Sequence, residues 1–325
     1  MAKLTVVEAI NQALKQAMAS DDRVLVLGED VGKNGGVFRA TQGLLDLFGE
    51  NRVVDTPLSE SAIIGASIGL AVYGLRPIAE LQFEGFAFGA MEQLVAHASR
   101  IRNRSRGRYQ CPLVVRIPYG GGIHAPEHHS ESNEAYFVHT PGLKVVVPST
   151  PYEAKGLLLA AIRDPDPVIF MEPKKIYRSL REEVPEEEYT IPLGQARVVM
   201  EGRNVTLIAW GAMLHVALEG ARLMADRGVS CEVLDLRTLS PLDTDAIIES
   251  VKKTNRAVIV HEAQRSCGVA AEIAARINEK ALLDLEAPVE RVTGFDVVMP
   301  LPKLEQRFLP DARRVADAID RVMSA

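Results

Sequence analysis

Apolar residues recur along this chain in two alternating rhythms. Thr5-Val-Val-Glu8 is a capping-box pattern, and Val6, Ile10, Ala13, Leu14, Ala17 and Met18 follow at helical spacing, which predicts a helix to about Ala19. Val24-Leu-Val-Leu27 is a continuous apolar run, as expected of a strand buried on both faces, and Gly28 opens a loop containing Gly32, Gly35 and Gly36. The same reading predicts a short helix at Leu44–Phe48, a strand at Arg52–Val54, an uncharged helix from Ser61 to Gly74, a strand over Arg76–Phe83 and a long helix from Phe86 to about Arg102. Further strands are expected at Pro112–Ile117, Leu143–Val147 and Val168–Met171, with a helix over Pro151–Arg163. This alternation implies a doubly wound, mostly parallel sheet.

From Pro173 to Pro192 the rhythm lapses into proline, tyrosine and charge, with an acidic strip at Glu182, Glu183 and Glu186 to Glu188 that reads as solvated surface. The boundaries are set at 1–180 for a first domain, 181–200 for a linker and 201–325 for a second, smaller α/β domain. In the latter, strands are expected at Val205–Ala209, Cys231–Leu234, Ala257–Val260 and Val289–Val292. Helices are expected at Met213–Arg227, Asp243–Lys253, Gly268–Leu285 and Ala312–Met323. A length of 325 residues suits two such domains.

Net charge of −6 provides no basic field for nucleic acid. Cys111, Cys231 and Cys267 form no CxxC pair and no secretory leader pattern is present, so a reduced, cytoplasmic protein is expected. No uncharged apolar run reaches the roughly 20 residues needed to cross a bilayer, so no membrane partner is expected.

Two places could carry chemistry. In Asp55-Thr-Pro-Leu-Ser-Glu60, a carboxylate stands where an uncharged helix begins. The helix N-terminus favours its charge and burial disfavours it, so Glu60 is a cap or an acid–base group. The second place is the long loop Tyr119 to Ser132, where a 16-residue stretch holding four of the 7 histidines, His124, His128, His129 and His139, begins. His124, Glu127 and His128 offer metal-ligand types, but adjacent His128 and His129 diverge in an extended loop, which argues against zinc and leaves a surface loop or a substrate-facing histidine. Both places follow strands, and open sheets bind ligands beyond strand carboxyl ends. The phosphate loop GxxxxGK[ST], the dinucleotide motif GxGxxG and HExxH are missing, and there is no GxSxG elbow, since the one such string, Gly65-Ala-Ser-Ile-Gly69, falls within the expected helix.

Gly28-Glu-Asp-Val-Gly, Gly35-Gly-Val-Phe-Arg, Asp55-Thr-Pro-Leu-Ser-Glu60, His128-His-Ser and His139-Thr-Pro-Gly-Leu-Lys-Val make the chain resemble one family. It is the β subunit of the thiamin-diphosphate-dependent decarboxylase component of 2-oxo acid dehydrogenase complexes, the pyruvate and branched-chain enzymes. Ser149-Thr-Pro-Tyr-Glu-Ala-Lys-Gly156 and Asp235-Leu-Arg-Thr-Leu-Ser-Pro-Leu242 extend the resemblance along the chain. It implies a pyrimidine-binding domain followed by a transketolase C-terminal-type domain, working in an α2β2 heterotetramer with an α subunit that binds the diphosphate and Mg2+. The GDG motif and Asn-Asn pair of that α subunit are missing here.

By the same resemblance Glu60 binds the pyrimidine nitrogen of thiamin, Phe86 stacks on that ring, Glu29 lines a passage between two cofactors, and His129 assists acyl transfer to a lipoyl group. Leu113, Ala161, Ile162, Asp164 and Asp166 match a potassium loop. The implied activity is oxidative decarboxylation of a 2-oxo acid, most simply pyruvate because position 86 is Phe, with the lipoyl acyltransferase component as a further partner. Branched-chain and acetoin-cleaving relatives are the alternatives, and a non-catalytic α/β interaction module is the competing class.

Overall fold

A computed structural model of the chain describes residues 2–325, which divide into two compact units. One comprises the chain up to Tyr119 together with Tyr136–Leu193; the other comprises Gly120–Ala135 and Gly194–Ala325. The histidine loop thus folds with the second unit. Within the stretch expected as a linker, Glu182–Val184 is a strand paired antiparallel with Ala2–Leu4.

The first unit runs β1 (Ala2–Leu4), α1 (Val6–Ser20), β2 (Val24–Gly28), α2 (Leu44–Phe48), β3 (Val53–Asp55), α3 (Glu60–Tyr73), β4 (Arg76–Glu80) and α4 (Ile101–Arg104). It continues with β5 (Val114–Tyr119), the part of α5 (Glu134–Val138) from Tyr136 on, β6 (Lys144–Val146), α6 (Pro151–Arg163), β7 (Val168–Pro173) and β8 (Glu182–Val184). The capping box expected at Thr5 and Glu8 is formed, and Thr150 caps α6 through its side chain. The main sheet has the order β6-β7-β5-β4-β2-β3 with every pairing parallel. Strands buried on both faces have no polar side to alternate with, which is why β2, β5 and β7 are apolar almost throughout. Since β2 lies between β3 and β4, the winding reverses there, and the carboxyl end of β2 is the topological switch point.

One expected element is broken up. In place of a single helix from Phe86 to about Arg102 there is a 3₁₀ stretch at Glu84–Ala90, a π turn at Gln93–His97, a 3₁₀ turn at Ala98–Arg100 and then α4. Gly85 and Gly89 remove the bias toward regular helix, and the Ser99 hydroxyl bonds back to the Val95 carbonyl.

The second unit contains β9 (Arg197–Met200), β10 (Val205–Ala209), α7 (Ala212–Ala225), β11 (Cys231–Asp235), β12 (Thr238–Ser240), α8 (Thr244–Thr254) and β13 (Ala257–Val260). It closes with α9 (Val269–Ala281), β14 (Glu290–Val292), α10 (Pro302–Phe308) and α11 (Ala312–Met323). Its sheet order is β14-β13-β10-β11-β9, parallel except for the edge strand β9. No helix among the described residues is long and apolar enough to cross a membrane.

Candidate active site

At the switch point the chain leaves β2 through Gly28, where an added Cβ would lie 2.6 Å from the Glu80 carbonyl oxygen of β4. Glu29 follows, half-buried, and its Oε1 is out of solvent without a hydrogen-bond partner. Burial raises the Glu29 carboxyl above its ordinary range, and the charges of Glu60 and Asp30 raise it further. The loop beyond is clamped by Asp55, whose oxygens accept from Gly32 N at 2.6 Å and Lys33 N at 3.1 Å. Asp55 thereby ties the end of β3 to the loop after β2.

Five residues on, Glu60 is the first residue of α3, and Ser59 is the N-cap without a side-chain cap bond. Glu60 is therefore not the cap: it places a carboxylate in the first turn, where unpaired backbone N–H groups favour its charge. Gly89 stands opposite, and a Cβ there would lie 3.7 Å from Glu60 Oε2. In the 3₁₀ stretch residues three apart eclipse, so Phe86 shares a face with Gly89. The broken helix thus puts Phe86 one turn before the glycine that faces the carboxylate. Its ring is held in an edge-to-face chain, Phe86 on Phe83 with centroids at 5.5 Å, Phe83 on Phe38 at 5.4 Å and Phe38 on Tyr177 at 5.2 Å. Glu29, Glu60 and the Phe86 turn come together at the ends of neighbouring strands. This corner offers a carboxylate, a glycine facing it and an aromatic side chain one turn earlier.

His129 is carried by the second unit. It lies half-buried on a 3₁₀ turn, Glu127–His129, with its backbone N–H donating to the Pro126 carbonyl at 3.0 Å. His128 is half exposed and its Nδ1 is 3.7 Å from Glu131. His124 turns to Glu305, Nδ1 to Oε2 at 3.0 Å, and no group of three or more His, Cys, Asp or Glu side chains among the described residues could hold a metal ion.

In the first unit, Leu113 O accepts from Val168 N at 2.9 Å, Ala161 O from Asp164 N at 3.2 Å and Ile162 O from Arg76 Nη1 at 2.7 Å. The Asp164 carboxylate pairs with Lys144 at 2.5 Å and that of Asp166 with Arg102 at 2.6 Å. Each carbonyl keeps a second lone pair, so this loop can offer a large monovalent cation carbonyl oxygens while its carboxylates stay engaged.

One buried cluster was missed in the sequence. Glu134, His261 and Glu262 lie in the second unit, where His261 is stacked on Trp210 at 5.4 Å and its Nδ1 is 3.8 Å from Glu134 Oε1. Burial pushes the Glu134 carboxyl up to about 8, and burial pulls the His261 imidazole down to about 3, with Arg291 and Arg265 adding to the latter. Only the run Ala257-Val-Ile-Val260 leading straight into His261 hinted that this histidine would be buried.

Residues 2–179 match the transketolase pyrimidine-binding domain and residues 194–315 the transketolase C-terminal domain. A solved structure described as a split-gene transketolase, inactive beta4 tetramer, has the same fold, with a TM-score of 0.80, 23% identity and 99% of each chain covered. The chain is thus a two-domain protein of the transketolase type. It is 52% identical to the pyruvate dehydrogenase E1 component subunit beta of Acholeplasma laidlawii, covering 100% of this chain and 99% of that one. The subunit of the same name from Bacillus subtilis (strain 168) is also 52% identical, with 99% of each chain covered. The chain belongs to the pyruvate dehydrogenase E1 component β-subunit family.

Proposed function

We propose that this chain is the β half of a thiamin-diphosphate-dependent pyruvate dehydrogenase, completed by an α subunit in a cytoplasmic α2β2 assembly. The meeting of Glu60, Glu29 and the Phe86 turn at the switch point of the pyrimidine-domain sheet carries this reading. Glu60 would hold a proton at the pyrimidine nitrogen, its place in the first turn of α3 opposite Gly89 setting its carboxylate at that corner. Phe86 would lie against the face of the ring. Glu29, its carboxyl raised above the ordinary range by burial and then by the Glu60 charge, stands at the mouth of a passage toward the second cofactor of the assembly. When bound, thiamin diphosphate supplies a carbon nucleophile for the 2-oxo acid carbonyl and an electron sink for the electrons released with carbon dioxide. His129 orients the acyl group for transfer to the lipoyl group of the acyltransferase component.

The diphosphate and Mg2+ belong to the α subunit in this reading, since no glycine-rich phosphate motif occurs here. A potassium ion would be held at the end of α6 by Leu113, Ala161, Ile162, Asp164 and Asp166, where carbonyls and the two aspartates supply oxygen ligands of the kind a hard cation takes. Pyruvate is favoured over branched-chain 2-oxo acids and acetoin by the names of the full-length relatives and by Phe at position 86.

The test is Glu60→Gln in the co-purified α2β2 enzyme. Assembly is expected to be retained while exchange of the thiazolium proton is suppressed; unchanged exchange removes Glu60 from the mechanism. Carbon dioxide release measured across several 2-oxo acids then reads substrate choice, with pyruvate expected fastest.

A further inference from the structure

The run Gly120-Gly-Gly122 that opens the histidine loop has no part in the chemistry above. Its reason lies in what the backbone approaches. A Cβ on Gly120 would stand 2.3 Å from Glu262 Oε1, and one on Gly121 would stand 2.7 Å from Met299 Cε and 3.3 Å from Glu305 Oε1. Glycine lets the chain press against two buried carboxylates, and its N–H groups point at them. Gly121 N donates to Glu262 at 3.2 Å, Gly122 N to Glu305 Oε1 at 2.8 Å and His124 N to Glu305 Oε2 at 3.2 Å, with the His124 ring at 3.0 Å from the same oxygen. Glu305 is 1% exposed and sits on α10, which Met299, Phe308 and Leu309 anchor in an apolar cluster.

We propose that Glu305 is a positioning residue for His129. A buried carboxylate gathering two backbone N–H groups and an imidazole makes short, charge-assisted contacts that fix the entering limb of the loop. The leaving limb is tied back by Gly120 N to Glu131 O at 2.8 Å, and Ser130 N to Glu127 O at 2.9 Å closes the turn between them. His129 stands on that turn, so its position is set where Glu305 holds the limb that leads to it. Glu262 secures the same limb one residue earlier. This rests on the assignment of His129 to acyl transfer.

The test uses the assembled enzyme and two rates, acyl transfer to free lipoamide and carbon dioxide release with ferricyanide as oxidant. Glu305→Gln keeps the side chain's size and removes its charge, and it is expected to slow acyl transfer on the order of tenfold, the scale of a sub-ångström misplacement, while leaving carbon dioxide release within about twofold. His124→Gln loses only the imidazole contact and is expected to show a smaller loss of the same kind, which keeps the test usable if Glu305→Gln folds poorly. In a His129→Ala background neither change is expected to slow acyl transfer further, because a positioning residue acts only through the group it positions. Equal losses in both backgrounds, or undiminished acyl transfer in both variants, overturn the proposal and leave the role of His129 intact. If His129→Ala itself transfers acyl groups at the normal rate, the role of His129 and the proposal fall together.

Discussion

Arg116 holds Glu172 in a two-pronged grip, Nε to Oε1 at 2.7 Å and Nη2 to Oε2 at 2.9 Å, and both side chains are wholly out of solvent. The remaining nitrogen, Nη1, reaches Glu80 at 2.5 Å, and Tyr177 donates its hydroxyl to Glu172. Burial by itself would lower the Arg116 pKa, but Glu172 and Glu80 outweigh it and raise that pKa, while burial pushes the Glu80 carboxyl up. The network spans β4, β5 and β7 below the loops of the candidate site. A Cβ on Gly36 would come within 3.1 Å of Glu80 Oε1, so the loop that carries Glu29 rests on this buried ion cluster.

Arg116→Met follows from that geometry. It would leave two carboxylates buried without their counter-charge, at a cost of about 3–5 kcal/mol. Urea unfolding is expected to show a lower midpoint and a loss of unfolding free energy of that size. Arg116→Lys would recover only part, since an ammonium cannot make the paired contact. A Met variant as stable as the parent would mean that the cluster is solvated in the working protein.

Glu29 and Glu60 allow a spectroscopic check that needs no cofactor. Burial raises the Glu29 carboxyl first and the Glu60 charge raises it next, so Glu60→Gln should bring the Glu29 titration down while leaving it above the ordinary range. Carbon-13 labelling of glutamate carboxyls, followed against pH, reads the shift. A Glu29 titration that does not move would show that the two carboxylates are not neighbours in solution.

Asp55 is expected to matter for the loop rather than for the chemistry. Its two bonds to Gly32 N and Lys33 N are charge-assisted. Asp55→Ala should lose on the order of 1–3 kcal/mol and speed amide exchange at Gly32 and Lys33. Exchange rates left unchanged at those two amides would dismiss the clamp.

Elements buried on both faces were legible in the chain because burial leaves an unbroken apolar string: Val24–Gly28, Val205–Ala209 and Ala257–Val260 all read directly. The pairing of Ala2–Leu4 with Glu182–Val184 was not, because an edge pair of polar strands has no apolar period to detect. Nor was the break after Phe83, where two glycines and a serine outweigh an otherwise helical pattern. The role of Arg116 was not legible either, since its partners Glu80 and Glu172 stand on β4 and β7. At the site, Glu60 stood out as a carboxylate on an apolar helix, but local pattern could not separate a cap from an acid–base group. Gly122 lies in the long histidine loop, but its partner Glu305 is 183 residues further along the chain. No local window reaches that far.

Glu134 and His261 give the second unit a pH signature whose two limbs have opposite signs. The Glu134 carboxyl is raised from 4.5 to about 8, by burial above all and also by Glu262, against its own backbone N–H and Trp210. The folded state therefore binds a proton that the unfolded state releases between those values, and stability falls as pH rises through that window. His261 is lowered from 6.5 to about 3, so the unfolded state binds a proton that the folded state refuses, and stability falls as pH drops through 6.5 toward 3. Where the windows overlap, from 4.5 to 6.5, the two slopes oppose each other and the pair contributes little net change. Above 6.5 only Glu134 acts, and below 4.5 only His261 does. Glu134→Gln should therefore flatten the alkaline fall in Tm between about 6.5 and 8, while His261→Gln should flatten the acid fall between about 4.5 and 3. Thermal unfolding of the parent and both variants across pH 3 to 8 checks each limb separately, because each substitution is expected to leave the other limb in place. A Glu134→Gln variant whose alkaline limb stays as steep as the parent's would mean that Glu134 is already ionised in the folded protein at neutral pH.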